Sequence, residues 1–124
     1  MKNYTIRVEA DPYYMEDKSE PDEQRYVFGY KVVIVNEGDA PARLVSRHWF
    51  ITDAHNRVEE VRGMGVVGEH PRLAPGERYE YSTWTQISTP FGSMRGSYQM
   101  LADDGTRFEA DIPEFQLIAP RILH

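Results

Sequence analysis

Apolar and polar residues alternate over short stretches along most of this chain, and turn-forming residues separate the stretches. Side chains of an extended strand point alternately to its two faces, so this alternation predicts β-strands. Strands are predicted over residues 2–10, 25–36, 42–52, 57–62, 79–83, 94–100 and 108–112. No stretch sustains the period of about 3.6 residues that is typical of an amphipathic helix.

The segment from Arg25 to Asn36 differs from the others because it is apolar on both predicted faces. Such a strand is typical of the centre of a sheet, where both faces are covered. The preceding segment, Asp11 to Gln24, contains six acidic residues and two prolines and is predicted to be an exposed loop. The final segment, Pro113 to His124, is apolar enough to pack on the domain or on a partner.

The strand over residues 42–52 carries the tryptophan predicted to lie at the centre of the core, Trp49. Its apolar residues are predicted to lie on two faces, with Val45, Trp49 and Ile51 on one and Leu44, His48 and Phe50 on the other. The remaining predicted core residues come from neighbouring strands, namely Phe28, Tyr30, Ile34, Tyr98 and Phe108. Seven short strands at near-regular spacing, with a hairpin turn at Asp103-Asp104-Gly105, predict an all-β sandwich. We expect an immunoglobulin-like or fibronectin type III-like domain of about seven or more strands, spanning residues 1–124 as one unit.

Composition narrows the possible functions. The formal net charge of −6 disfavours nucleic-acid binding, which depends on neutralising phosphates with basic side chains. No apolar run is long enough for a membrane span or a signal peptide, so we expect a cytoplasmic protein, monomeric or weakly dimeric. The chain has no cysteine, which excludes disulfides and zinc–thiolate sites.

All basic residues between positions 43 and 78 are arginines. Pairing with nearby glutamates is their simplest role, and interface or anion contacts are the alternative.

A glycine-spaced loop is the strongest candidate for a binding site. Gly63, Gly65 and Gly68 reproduce the G-x-G-x-x-G spacing of dinucleotide-binding loops. That mechanism needs a helix to begin at the third glycine, and Pro71 and Pro75 prevent one. Two interpretations remain. The glycines permit tight turns and close packing, or their amides form an anion site that is completed by three arginines, Arg47, Arg62 and Arg72.

Catalytic and metal-binding patterns are weak. The four histidines are His48, His55, His70 and His124, and no two have the spacing of paired metal ligands. His48 is expected to be a hydrogen-bonded structural residue and His55 a solvated turn residue. No catalytic residue and no cofactor is predicted. Any binding of a divalent cation should be weak and carboxylate-based, in the segment from Asp11 to Glu23.

Arg47-His48-Trp49, followed by the glycine loop, resembles the bacterial ApaG family. The resemblance continues through Pro71, Leu73, Pro75-Gly76, Tyr81, Thr89-Pro90, Gly92, Met94, Gly96, Tyr98-Gln99-Met100, Gly105, Phe108 and Ile112-Pro113. It covers nearly the whole chain and implies the same fibronectin type III-like sandwich. Domains of this family also occur in an F-box protein and in a DNA polymerase delta-interacting protein. The bacterial proteins are linked to cobalt and magnesium efflux, and their gene lies near one for a diadenosine tetraphosphatase.

Two functions follow as expectations. The first is a non-enzymatic binding module that recognises a protein partner through the arginine-bearing middle segment. The second is a protein that binds a small anion, such as pyrophosphate, a dinucleotide polyphosphate or a metal phosphate, at the glycine loop. An uncharacterised hydrolase is the least supported interpretation, because no nucleophile lies in the sequence context that such enzymes use.

Overall fold

The computed structural model describes residues 2–120, and extended strands account for most of them. The eight strands are β1 (Ile6–Tyr14), β2 (Tyr26–Asn36), β3 (Ala42–Asp53), β4 (Val58–Met64), β5 (Arg72–Leu73), β6 (Arg78–Ile87), β7 (Phe91–Ala102) and β8 (Arg107–Ile118). Two short 3-10 turns, Glu16–Lys18 and Pro21–Glu23, separate β1 from β2. Among the described residues, no helix is long and apolar enough to cross a membrane.

The strands form two antiparallel sheets packed face to face. The smaller sheet has the order β1-β2-β6, and the larger has the order β4-β3-β7-β8 with β5 paired to the beginning of β3. This arrangement confirms the predicted all-β sandwich. The doubly apolar segment that begins at Tyr26 is the central strand of the smaller sheet, as its pattern indicated.

The core lies between the sheets and is centred on Trp49, which is 3% exposed. Its ring packs at roughly right angles against Tyr98 and Phe115, with centroid distances of 6.4 and 6.0 Å. Edge-to-face packing of this kind is the favoured geometry of aromatic pairs. The other predicted core residues are buried as well, except Phe108, which is partly buried against the core.

The structure corrects the prediction for the acidic segment. β1 begins at Ile6 and continues to Tyr14, so it occupies the first residues of the predicted loop. Tyr13 and Tyr14 pair with Gly29 and Phe28 of β2. The reason is cross-strand packing, because the Tyr13 ring covers the position where Gly29 has no side chain. Local acidity and proline content carry no information about such a partner.

A β-bulge corrects the predicted faces of β3. The pairing between β3 and β7 shifts register between Leu44 and Ser46. A bulge inserts one extra residue and therefore reverses the alternation of side chains on one side of it. Leu44 consequently points inward with Trp49 and is 1% exposed, whereas Val45, predicted to be inside, is only partly buried.

The predicted C-terminal tail is largely part of the sheet. Residues from Pro113 onward continue β8 as far as Ile118, beyond a register shift opposite Met94 and Gly96. Residues 121–124, which include His124, lie outside the described part of the chain.

The two sides of the sandwich differ in how they are closed. On one side β1 packs beside β8, so the edges of the two sheets meet. On the other side β4 ends the larger sheet and β6 ends the smaller one, and these two edge strands do not pair with each other. The interior is therefore accessible from the side that β4 and β6 border.

Candidate functional site

A pocket of about 290 Å³ opens into the sandwich between the edges of β4 and β6. Its wall combines aromatic and aliphatic side chains with two threonines, and a single cation lies at the mouth. The lining residues are Tyr30, Arg47, Trp49, Ile51, Val61, Val66, Val67, Tyr81, Thr83, Trp84, Thr85 and Met94. A concave site that combines apolar and aromatic side chains with a cation and several hydroxyl groups is typical of ligand and partner binding.

Arg47 supplies the charge of the pocket. Its Nη1 donates hydrogen bonds to the carbonyl oxygens of Met64 (3.0 Å) and Gly65 (2.8 Å), which fixes the guanidinium at the start of the glycine loop. Within residues 2–120, no carboxylate oxygen lies within 4.0 Å of it. Four other arginines of the middle segment do have carboxylate partners, in the pairs Arg57–Asp53, Arg62–Glu60, Arg72–Asp103 and Arg78–Glu80. Arg43 has none within 4.0 Å among the described residues either, but it donates to the carbonyl oxygen of His70 at 2.9 Å and does not line the pocket.

The first two glycines of the loop are required by close packing. A Cβ on Gly63 would lie 2.5 Å from Nη2 of Arg47, so the absent side chain lets the arginine cross the strand. Gly65 has a φ of +63°, and a Cβ there would lie 2.3 Å from the carbonyl oxygen of Glu69. Gly68 has a φ of +80° but open space around it, so only its backbone conformation favours glycine.

The tip of the loop is a tight turn from Val66 to Glu69. Val66 donates to the Glu69 carbonyl oxygen and Glu69 donates back, both at 2.8 Å, and the Gly65 amide donates to Val45. Three of the amides that an anion nest would use are therefore already bonded. Val67 has a φ of +43°, which is unusual for a β-branched residue, and its side chain is half-exposed at the mouth of the pocket.

Three buried tyrosines, Tyr30, Tyr81 and Tyr98, lie near Arg47. The hydroxyl groups of Tyr81 and Tyr98 are hydrogen-bonded to each other. Burial raises the pKa of Tyr81 to about 12, and it raises the pKa of Tyr30 and Tyr98 further, while the charge of Arg47 opposes the rise at all three. The tyrosines are therefore neutral at physiological pH, and they do not neutralise the arginine.

Because of these tyrosines, we expect the free energy of unfolding to fall at alkaline pH. The unfolded chain loses each tyrosine proton near pH 10, whereas the folded protein retains the proton of Tyr81 to about pH 12. Because the folded pKa is raised, each such group lowers the free energy of unfolding by about 1.4 kcal/mol per pH unit inside this window. Tyr98→Phe should make the slope shallower by up to about one proton above pH 10, which urea denaturation between about pH 10 and 12 would measure. A slope equal to that of the parent protein would contradict the prediction.

The predicted binding residues do not all converge. Arg47, Gly63 and Gly65 lie together at the pocket, whereas Arg72 pairs with Asp103 in the turn after β7. Arg62 bonds Glu60 on the outer face of the larger sheet. Binding of a ligand by these residues stays a prediction.

His48 belongs to the outer-face cluster with Arg62. Its Nε2 lies 2.5 Å from Oε1 of Glu60, in agreement with the structural role predicted for this histidine. The hydrogen bond with His48, followed by that with Arg62, lowers the pKa of the Glu60 carboxyl. Among residues 2–120, no group of three or more histidine, aspartate or glutamate side chains is arranged to hold a metal ion. Weak carboxylate-based binding stays a prediction.

Trp84 is a residue of the site that the sequence did not predict. It lies in β6, is 59% exposed and forms part of the pocket wall. The alternation of Tyr79, Tyr81 and Thr83 placed the core face of this strand correctly but gave no role to the opposite face. The sequence did contain a signal for it, namely a tryptophan on the polar face of a predicted strand. A large aromatic side chain on that face lies outside the core, and exposed apolar surface of this kind indicates a binding site.

Comparisons with known proteins agree with this fold. Residues 16–102 match the sequence profile of the ApaG domain. Protein ApaG from Chromobacterium violaceum is 58% identical over 123 residues, covering 99% of this chain and 98% of that protein. Protein ApaG from Ralstonia nicotianae is 52% identical, with both chains covered completely. A crystal structure of a Bordetella pertussis protein superposes with a TM-score of 0.93 at 49% identity and covers 98% of each chain.

Proposed function

This chain belongs to the ApaG family, and from that premise we propose that it is a non-enzymatic binding module that captures a protein partner at the pocket between β4 and β6. The observation that carries the proposal is Arg47, a cation fixed at the mouth of an aromatic pocket without a carboxylate partner among the described residues. A partner that brings a carboxylate would complete this site with charge-assisted hydrogen bonds.

The residues around Arg47 support an interface. Val67 and Trp84 are both more than half exposed at the rim of the pocket. Tryptophan and arginine are the side chains that most often dominate the energy of protein interfaces, particularly around a pocket. The middle segment predicted to carry the interface contributes Arg47 and Val67, and β6 adds Trp84 from the opposite sheet.

The composition of the pocket favours binding over catalysis. Its lining includes no histidine and no carboxylate, which are the usual general acids and bases. Tyr30 and Tyr81, the neutral tyrosines that line the pocket beside Arg47, can donate or accept hydrogen bonds with a bound group. We propose that the link of the family to cobalt and magnesium efflux acts through the captured partner, with this protein as its recognition subunit.

A small anion is the second candidate ligand. The same guanidinium, which has no carboxylate partner among the described residues, favours it, because phosphate oxygens accept hydrogen bonds from arginine as carboxylates do. Pyrophosphate or a dinucleotide polyphosphate would then be held by Arg47 and by the tip of the turn at Val67 and Gly68. Saturable, salt-sensitive binding of pyrophosphate in calorimetry, lost in Arg47→Gln, would support this candidate.

Crosslinking in the producing cell tests the lead proposal. A photoreactive phenylalanine analogue at Val67 should yield a discrete protein adduct. Arg47→Gln in the same chain should reduce the adduct about tenfold, because a charge-assisted hydrogen bond contributes about 1.5–3 kcal/mol. The melting temperature of each variant shows whether the pocket is still folded.

Arg62→Gln is the matched control, since Arg62 is an exposed arginine from the same segment with a carboxylate partner of its own. It should leave the adduct and the melting temperature nearly unchanged. Equal losses in both variants, or an adduct that is indifferent to Arg47, would contradict the proposal. Competition of the adduct by pyrophosphate would instead favour the anion.

A further inference from the structure

The edge of β6 lacks the protection that the other outer strands carry. β1 has Pro12 and β8 has Pro113, while β4 carries charged residues at Glu59, Glu60 and Arg62. Prolines and charges on edge strands prevent the addition of a further strand. In β6 the charges end at Glu80, and the following residues, Tyr-Ser-Thr-Trp-Thr-Gln-Ile, include no charge, no proline and no glycine.

The direction of the free backbone groups follows from the hydrogen bonds at the strand ends. The Asn36 amide donates to the Glu77 carbonyl oxygen at 3.0 Å, and the Met15 amide donates to Val27 at 2.8 Å. Bonded and non-bonded residues alternate in an antiparallel pair, so even-numbered residues of β2 bond β6 through its odd-numbered residues. The amides and carbonyls of the even-numbered residues of β6, Ser82, Trp84 and Gln86, therefore face the open side of the sandwich.

We propose that this edge accepts an extended segment of the partner as an additional strand, with an acidic side chain flanked by apolar ones. The proposal rests on the proposed function and names the chemistry of the partner. Side chains of an added strand point alternately to the two faces of the sheet. On the inner face they meet the pocket with Arg47 and Thr83, where a carboxylate gains a cation. The neighbouring side chains lie on the outer face, where apolar ones can cover the exposed Trp84.

A second copy of the chain fits this edge less well. Two copies paired through β6 would present Tyr81 to Ile87 to each other, and this stretch contains no carboxylate. Arg47 would then remain without an anion. The charge of the pocket therefore favours a different, acidic segment over self-association.

The test uses a displayed library of random peptides of strand length, about nine residues. Selection on the folded full chain should enrich peptides with one aspartate or glutamate between β-branched or aromatic residues. The affinity of a selected synthetic peptide should fall about tenfold in Arg47→Gln and in Trp84→Ala, and stay unchanged in Arg62→Gln.

Backbone N-methylation of that peptide, one residue at a time, tests strand addition directly. Methylation of alternate amides that bond β6 should weaken binding about tenfold each, whereas the amides between them, which face solvent, should tolerate it. This readout requires no change in the protein and cannot be confused with unfolding.

The outcomes separate the two proposals. Binding that depends on Arg47 but tolerates methylation at every position would overturn strand addition and leave the pocket as the binding site. Selected peptides that ignore Arg47 would overturn both proposals, and so would a library that yields no binder. Dimerisation of the free chain, abolished by Trp84→Ala, would identify a second copy as the occupant and overturn the acidic partner.

Discussion

Replacing Trp49 with alanine should lower the free energy of unfolding by about 3–5 kcal/mol. The indole is 3% exposed and contacts aromatic rings from both sheets, with Tyr30 at a centroid distance of 5.5 Å and Phe115 at 6.0 Å. Removing it forfeits the burial of a large apolar surface and leaves a cavity that the two sheets cannot close without moving. A whole domain is stable by only about 5–15 kcal/mol, so much of the variant should be unfolded when warm.

Trp84→Ala is the matched control, because the chain has only these two tryptophans. Trp84 is 59% exposed, so its truncation should change the free energy of unfolding by about 0.5 kcal/mol or less. Urea denaturation of both variants, followed by far-UV circular dichroism, measures the difference. Similar losses in the two variants would mean that Trp49 is not the centre of the core. The same variant also tests the proposed function, because Trp84→Ala should keep the fold and weaken partner binding.

Gly65→Ala should lower the free energy of unfolding by about 3 kcal/mol, from two causes. A φ of +63° is unfavourable for alanine, and the added Cβ would lie 2.3 Å from the carbonyl oxygen of Glu69. That oxygen accepts the Val66 amide and closes the turn, so it cannot move aside without breaking the turn. The substitution should therefore disturb the loop beside Arg47 as well as the stability of the domain.

Gly68→Ala isolates the first cause, the unfavourable backbone conformation. Gly68 also has a positive φ, +80°, but no atom lies within 4 Å of its hypothetical Cβ. Only the backbone term then applies, and the expected loss is about 1 kcal/mol. Thermal denaturation of the two variants side by side gives the steric term by difference. If Gly68→Ala were as harmful as Gly65→Ala, close packing at Gly65 would not be the reason for its glycine.

These variants also distinguish the two interpretations of the glycine loop. Gly63 and Gly65 serve the path of the Arg47 side chain and the closing of the turn, as their contacts show. The interpretation that the glycines permit close packing accounts for both residues. Whether the turn additionally binds an anion depends on Arg47, and the pyrophosphate titration decides it.

Most of the fold was predictable because strand patterns are local. The alternation along β2 and β7, the apolar second face of β2 and the Asp-Gly turn before β8 each follow from neighbouring residues. An all-β sandwich is the way in which such strands bury one face each. The ends of β1 and β8 were not predictable, because their last residues are strands only through pairing with β2 and β7.

For the site, the sequence predicted some of the residues but not how they are arranged in space. The sequence alone singled out an arginine-rich middle segment and a glycine loop, and it determined that the core is built around Trp49. The tertiary structure decided that Arg47 is the arginine of the pocket and that it has no carboxylate within 4.0 Å in the described part of the chain, whereas Arg62 pairs with the nearby Glu60 and Arg72 with the distant Asp103. It also decided that a bulge turns Leu44 inward and that β6 brings Trp84 to the pocket mouth. The reason is physical: the pattern of one strand fixes which residues share a face, but the neighbours of that face belong to strands far away in the chain.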